Sequence, residues 1–256
     1  MKKFEKKSLS TFIAMLITIV ASLVPTLANA HGDSNSENIS GMHDHEDNPT
    51  LAKVMFDQLE FRNGGGDNQF VMDAQAWIGK DLNKFWLKAD IEQSDGETEE
   101  AELHALYSRA ITSYWDLQIG LREDIKPKPT DSWGVIGVHG LAPYFFELDA
   151  AFFVGESGDT AARFSAEYEL LFTQRLILSP EFEFNLYGQR DTRKMTGAGL
   201  SDVNAGLRLR YEIFREFAPY IGVHWNKKFG ETADFSRISD EATSDTQVVA
   251  GIRAWF

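Results

Sequence analysis

The chain has 256 residues, no cysteine and a formal net charge of −14 at pH 7. Without cysteine it can form neither disulfides nor thiolate metal sites. The acidity argues against nucleic-acid binding, which requires basic patches, and it suits a surface or lumen that attracts cations.

The first 30 residues have the three parts of a secretory signal peptide. Four lysines precede an apolar run from Leu9 to Val24, and a small-x-small cleavage pattern ends at Ala30. A retained membrane anchor is the alternative, but the apolar run is short and Pro25 follows it. Cleavage after Ala30 removes four lysines and one glutamate, which takes the formal net charge from −14 to −17.

Residues 31–50 form a polar tail that is poor in large apolar side chains, and we expect this periplasmic tail to be disordered. After cleavage, we expect the amine and the imidazole of His31 to lie at the new N-terminus, where together they can chelate Cu(II). Farther along, Met42, His43 and His45 combine a thioether, which suits Cu(I), with imidazoles, which suit Cu(II). The tail therefore predicts a copper site; the alternative is a solvated tether with incidental histidines.

From residue 51 to residue 256, the chain consists of about twelve short segments in which apolar and polar residues alternate. In the segment 85–92, Phe85 and Leu87 fall on one face, whereas Trp86 and Lys88 fall on the other. Since successive side chains of a strand point to opposite faces, each segment has one apolar and one polar surface. The gaps alternate in length, as in outer-membrane barrels with short periplasmic turns and longer outer loops.

We predict tight connections within 79–84, 110–113, 142–144, 173–175 and 214–217. Longer or turn-rich connections are predicted at 63–68, 94–98, 123–132, 155–160, 188–199 and 230–245. Both chain ends then lie on the short-turn, periplasmic side. A soluble sandwich also alternates, with its polar face in water, but it has no reason to follow the loop rule. The predicted fold is all-β, a transmembrane antiparallel β-barrel of about 12 strands at residues 51–256.

Two further features favour the barrel. No stretch beyond the signal peptide approaches the roughly 20 consecutive apolar residues of a spanning helix, so strands remain the way to cross a membrane. The last segment alternates from Val248 and ends in the aromatic residue Phe256, which resembles the C-terminal signal of outer-membrane barrels. A wide pore is not expected, because open aqueous porins have about 16–18 strands.

The alternation of strand faces also predicts the direction in which the remaining histidine side chains point. The alternation turns His104 inward with Glu102 and Ser108, and it turns His139 and His224 inward as well. An imidazole avoids lipid whether or not it binds metal, so these side chains are either metal ligands or lumen histidines hydrogen-bonded to carboxylates. Charged residues share the inward face, namely Asp73, Asp90, Glu92, Glu102, Asp149, Glu167, Glu169, Glu181 and Glu183 with Arg122, Arg163, Arg208 and Arg210. Such a network plugs a lumen, and it also offers a path to divalent cations.

Many runs after residue 50 resemble the copper resistance protein B family. They include DQLE at 57–60, LYSRA at 106–110, GLAPY at 140–144, LFTQRLIL at 171–178, RLRYEI at 208–213, REFAPY at 215–220 and AGIRAWF at 250–256. The resemblance implies an outer-membrane barrel that binds copper and contributes to copper tolerance, beside a periplasmic multicopper oxidase. Family members often carry a long tail rich in methionine and histidine, and the short tail here favours capture or delivery over storage.

The sequence thus predicts a copper-binding protein of the bacterial outer membrane that contacts lipid and has no organic cofactor. It captures copper, as Cu(I) or Cu(II), on the tail and holds it in, or passes it through, an acidic lumen. A generic small-solute or cation channel is the alternative. An enzyme is not expected, since neither Ser108 nor Ser201 lies in a nucleophile motif. The predicted copper ligands are His31, Met42, His43, His45, Glu102, His104, His139 and His224.

Overall fold

The computed structural model describes residues 48–64 and 67–256, and it is a closed antiparallel β-barrel. Its strand segments are β1 (Leu51–Gly64), β2 (Asp67–Gly79), β3 (Asn83–Ser94), β4 (Glu97–Ala110), β5 (Trp115–Lys126), β6 (Asp131–Ala142), β7 (Phe146–Gly155), β8 (Thr160–Glu167), β9 (Leu170–Leu171), β10 (Leu176–Tyr187), β11 (Gly199–Tyr211), β12 (Phe217–Lys228) and β13 (Ser244–Trp255). Because β8 and β9 both pair with β10, they are two parts of one strand. Pairing of β1 with β13, such as Met55 with Trp255, closes the sheet. The predicted twelve-stranded barrel is confirmed.

The outer surface of the barrel is apolar because each strand turns every second side chain outward. Phe61, Leu121, Ile221 and Val248 are between 64% and 68% exposed. Water would make such exposure unfavourable, but an outward apolar band is what a transmembrane barrel presents to lipid. The alternation in the sequence therefore corresponds to lipid on one face and a polar lumen on the other.

The two rims of the barrel differ, and the difference gives its orientation. The rim that carries the start of β1 and the end of β13 has the connections 80–82, 111–114, 143–145, 172–175 and 212–216. The opposite, outer rim has the two longest connections, 188–198 and 229–243. Since outer-membrane barrels have short periplasmic turns, the first rim is the periplasmic rim. Exposed aromatic side chains surround it, as expected at a membrane interface, namely Tyr114, Tyr144, Phe145, Phe172 and Phe214.

The predicted alternation of loop lengths is only partly correct. The segments 188–199 and 230–245 do contain long connections, but 63–68 and 94–98 do not. Strands β1 and β2 pair up to Gly64 and Asp67, and only Asp95 and Gly96 join β3 to β4. Those two residues have φ of 49° and 78°, as in a tight two-residue hairpin. The 14 residues of β1 exceed the roughly 9–11 that span a bilayer, so polar strand ends resemble loops in the sequence.

The connection 229–243 contains a helix, α1 (Gly230–Ile238), which the sequence pattern does not predict. The side chain of Thr232 anchors it, because Thr232 Oγ1 accepts a hydrogen bond from Gly197 N at 2.8 Å and lies 3.1 Å from Ser201 Oγ. The helix therefore packs on β11 and on the connection 188–198. Within the described ranges, none of the helical segments has the length and hydrophobicity to span a bilayer.

Candidate metal centre in the lumen

A cavity of about 410 Å³ occupies the middle and periplasmic part of the lumen. Its wall carries acidic and basic side chains together with His104 and His139. Both histidines point inward, as the alternation predicts. At the periplasmic end the wall includes Glu147, whose side chain is 51% exposed, so the cavity is reached from that side.

Three potential ligand atoms come together at the cavity: Asp90 of β3 and His104 of β4 line its wall, and Glu102 of β4 lies beside them. Asp90 and Glu102 are direct partners across the two strands, and His104 occupies the next inward position of β4. One atom of each lies within 4.8 Å of the other two, and His104 Nε2 is 3.4 Å from Glu102 Oε2. Carboxylate oxygens and an imidazole nitrogen are ligands that Cu(II) accepts, so this set fits copper.

Glu102 is also held by two arginines. Nη1 and Nη2 of Arg163 donate to its two oxygens at 3.0 and 3.1 Å, and Arg122 Nη2 donates to Oε1. Since Glu102 is only 4% exposed, these ion pairs compensate its buried charge. A metal ion held by Asp90, Glu102 and His104 would compete with both guanidinium groups for Glu102, which would favour exchangeable binding.

His139 of β6 lies closer to the periplasmic rim, beside two carboxylates of β7. Its Nε2 is 3.7 Å from Glu147 Oε1, and its Nδ1 is 3.5 Å from Asp149 Oδ2. The Trp86 ring contacts the imidazole with a centroid distance of 5.9 Å. His139 pairs with Asp116 near the start of β5, whereas His104 pairs with residue 122 of the same strand. The two histidines thus line one cavity at different depths.

His224 of β12 is separate from this cavity. It is 5% exposed, and its Nδ1 has no hydrogen-bond partner among the described residues. Its partners on the neighbouring strands are Gly206 and Gln247. The inward orientation agrees with the sequence prediction, but the structure does not bring His224 into the cavity that His104 and His139 share.

Ion pairs fill much of the remaining lumen. Glu60, which is fully buried, accepts hydrogen bonds from Arg62 Nε at 2.7 Å, from Arg208 Nη2 at 2.8 Å and from Tyr220 Oη at 2.9 Å. Arg208 also pairs with Glu181 at 2.5 Å. The predicted network of opposing charges is therefore present, and it joins strands that lie far apart around the barrel.

At the outer rim, the connection 188–198 turns Lys194 into the mouth of the barrel. Its Nζ is 3.0 Å from Asp124 Oδ2 and 2.8 Å from Asp131 Oδ2. The side chain is only 12% exposed, although it belongs to one of the longest connections in the described part of the chain. The outer mouth is therefore occupied by protein, whereas the periplasmic mouth leads into the cavity.

Four of the predicted copper ligands, His31, Met42, His43 and His45, lie outside the described residues. Of the others, the structure brings Glu102 and His104 together, places His139 at another depth and leaves His224 apart. The sequence also assigns Asp90 to the inward face but not to the ligand set. The sequence does contain a signal for this role. Lys88, Asp90 and Glu92 occupy every second position of β3, so Asp90 points to the same inward face as its partner on β4.

Comparison with known proteins identifies the family. The family model described as Copper resistance protein B precursor (CopB) matches residues 50–256. Copper resistance protein B of Escherichia coli is 40% identical over 246 residues, which cover 96% of this chain and 83% of that protein. The homolog of Pseudomonas syringae pv. tomato is 41% identical over 214 residues, covering 84% and 73% of the two chains.

Among solved structures, the NanC porin has the same fold. It aligns with a TM-score of 0.52 at 11% identity, over 80% of this chain and 99% of that one. This likeness supports the barrel architecture. With the family match over the whole barrel and two relatives at about 40% identity, the chain belongs to the copper resistance protein B family.

Proposed function

We propose that this protein contributes to copper resistance by binding copper ions as cargo in the lumen of its barrel. The observation that carries the proposal is the convergence of Asp90, Glu102 and His104 beside a cavity that is reached from the periplasmic side, with Asp90 and His104 on its wall. Two carboxylates and an imidazole suit Cu(II). The role is one of binding and delivery, with no enzymatic step.

We further propose that the tail captures copper before the lumen does. The start of β1 at the periplasmic rim, directly after residue 50, supports this proposal; the predicted tail ligands His31, Met42, His43 and His45 lie outside the described residues. Their thioether and imidazole groups accept copper in both oxidation states. A periplasmic multicopper oxidase of the same resistance system is the proposed partner, because the predicted tail ligands suit both copper oxidation states.

Calorimetric titration of the full mature chain with Cu(II) tests the lumen proposal. His104→Ala should weaken one binding event by at least about tenfold, since the nitrogen ligand is lost. His224→Ala is the matched control, because it removes a buried lumen histidine that does not line the cavity, and it should bind copper as the unaltered chain does. Lower pH should weaken the same event, because imidazole must be deprotonated to bind a metal. Binding that is unchanged in His104→Ala would refute the lumen site.

Deletion of residues 31–47 tests the tail in the same titration. It should lower the amount of copper bound while leaving the event that depends on His104 intact. The control is a tail of equal length in which the three histidines and Met42 are replaced by serine, since it separates ligand loss from shortening. If the deletion binds as much copper as the full chain, capture by the tail is wrong.

A generic cation channel is the second function to test, because carboxylates line the cavity. Conductance measurements in planar bilayers distinguish a generic cation channel from a copper-binding barrel. Steady conductance of ordinary monovalent cations, with no calorimetric copper binding, would favour the generic channel. Copper binding with little conductance is the result expected here, since ion pairs and Lys194 occupy the lumen and its outer mouth.

A further inference from the structure

A short row of exposed polar side chains lies at the periplasmic rim, beside the turn 80–82. Asn83, at the start of β3, pairs with Arg109 of β4, and the backbone N–H of Lys80 donates to Asn83 O at 2.9 Å. The next positions along these strands, farther into the membrane, form a cross-strand row of exposed side chains, namely Ile78, Phe85, Tyr107 and Ile119. The polar row therefore borders the apolar band that faces lipid.

Strand alternation places Arg109 on the outer surface of the barrel. Tyr107, two residues earlier in β4, is 46% exposed, whereas the intervening Ser108 is fully buried. Successive side chains of a strand point to opposite faces, so Arg109 is exposed on the same side as Tyr107. Its guanidinium group thus lies at the level where hydrocarbon ends and lipid headgroups begin.

The two cations of this row have no carboxylate partner among the described residues. Asp81, the acidic residue of the turn, is exposed and forms no ion pair with Lys80 or Arg109. The arginines of the lumen, by contrast, each pair with a carboxylate, namely Arg62, Arg122, Arg163, Arg208, Arg210 and Arg253. In a chain with a formal net charge of −14, two adjacent unpaired cations mark a place that attracts an anion.

Asn83 adds a neutral donor between the two cations. Its Oδ1 accepts a hydrogen bond from Tyr107 Oη, while its Nδ2 donates to none of the described residues. The tyrosine therefore holds the amide with its N–H groups available. An ammonium, a guanidinium and an amide N–H in one row are donors that suit the oxygens of a phosphate group.

We propose that Lys80, Asn83 and Arg109 form a binding surface, the rim site, for the headgroup of an anionic phospholipid in the periplasmic leaflet. A phospholipid fits because its phosphate and its acyl chains follow each other as the polar row and the apolar row do. Two cations exceed the single charge of one phosphate, so a lipid with net negative charge, such as phosphatidylglycerol, is favoured over zwitterionic phosphatidylcholine. Aromatic side chains such as Tyr107 are typical of this interface.

Native mass spectrometry of the full mature chain in detergent tests the rim site, because a titration with phosphatidylglycerol gives the dissociation constant of the first lipid bound. Lys80→Gln combined with Arg109→Gln should weaken this binding by at least about fivefold, as expected for the loss of cations at an anionic headgroup. Phosphatidylcholine should bind more weakly than phosphatidylglycerol and respond less to the two substitutions.

Two further double variants separate the rim site from net charge and from folding. Arg193→Gln with Arg237→Gln removes two exposed cations of the outer connections and should leave the binding of phosphatidylglycerol unchanged. Lys80→Arg with Arg109→Lys keeps both charges and should bind as the unaltered chain does. Unchanged binding after Lys80→Gln with Arg109→Gln, or an equal loss in the outer variant, would overturn the rim site.

The tail is the rival occupant, because residues 31–47 contain five acidic residues and neither lysine nor arginine. Its deletion should leave the binding of phosphatidylglycerol unchanged. If the first lipid binds only after residues 31–47 are removed, the tail occupies Lys80 and Arg109, and the lipid proposal is wrong. Equal affinity for phosphatidylcholine and phosphatidylglycerol would likewise refute a site for anionic lipid.

Discussion

Glu60 is a fully buried carboxylate, and its neighbours replace the hydrogen bonds that water would otherwise donate to it. Its side chain is 0% exposed, and Arg62, Arg208 and Tyr220 all donate hydrogen bonds to it. Moving a carboxylate out of water costs several kcal/mol, and ion pairs with good geometry offset that cost. The arginines depend on Glu60 in turn, since both are at most 6% exposed. The three charges therefore stabilise the barrel only as a set.

We expect Glu60→Gln to destabilise the barrel by about 3 kcal/mol, because it leaves two buried guanidinium groups without their main carboxylate. Urea-induced unfolding of the protein in lipid vesicles measures the change. Glu156→Gln is the control, since Glu156 is exposed in the connection 156–159 and its replacement should change the free energy of unfolding by less than about 0.5 kcal/mol. Equal stability of the two variants would show that the network contributes nothing.

At the scale of elements, a bulge in the hairpin β3–β4 brings together the side chains of the candidate metal centre. An uninterrupted ladder from the turn would place Asp90 opposite Ala101. The register shifts by one residue between Glu92 and Gln93, so that Asp90 pairs with Glu102 instead. A shift of one residue turns a side chain to the other face of a sheet, so without the bulge Asp90 and Glu102 would point in opposite directions.

The turn of this hairpin should be sensitive to substitution. Gly96 has φ of +78°, and Gly96→Ala should cost about 1 kcal/mol because that conformation disfavours a side chain. Gly134→Ala in β6 is the control: an added Cβ meets only Val154 O, at 3.7 Å, so little change is expected. The vesicle unfolding assay compares the two. A neutral Gly96→Ala would mean that the turn does not constrain the hairpin.

The sequence predicts the strand faces well but the pairing between strands poorly. The alternation of apolar and polar residues predicts which side chains face lipid. This is enough to predict that Glu102, His104 and His139 point inward. The bulge that brings Asp90 to Glu102 depends on barrel closure, a long-range condition that no local pattern contains. The hairpin at Asp95 does carry a local signal, an Asp-Gly pair, but polar strand ends around it resemble a loop.

At the scale of the whole molecule, the lumen is asymmetric. The cavity extends toward the periplasmic rim, where Glu147 is half exposed, whereas Lys194 and α1 cover the outer rim. In the described part of the chain, the lumen is therefore more open toward the periplasmic rim than toward the outer rim. The asymmetry makes access from the two sides of the membrane experimentally distinguishable.

Single cysteines test this asymmetry cleanly, because the chain contains no cysteine. Ser165→Cys places a thiol on the cavity wall, and a bulky, membrane-impermeant maleimide should label it only after the outer membrane is permeabilised. Ser157→Cys, in an exposed outer connection, should be labelled in intact cells and serves as the control. Rapid labelling of Ser165→Cys in intact cells would show that the outer mouth is open.

Lys194 gives the outer mouth a fixed counter-ion. Burial alone would lower the pKa of its amine, but hydrogen bonds to Asp131 and Asp124 and the field of those carboxylates outweigh it and raise the pKa. The group thus keeps its charge in alkaline surroundings. A covalently attached counter-ion cannot be washed out by salt or exchanged for the ions of the medium, so the outer acidic pair stays neutralised. Glu147, at the periplasmic end of the cavity, is 51% exposed, and the attraction that the lumen exerts on free cations is directed toward the periplasm.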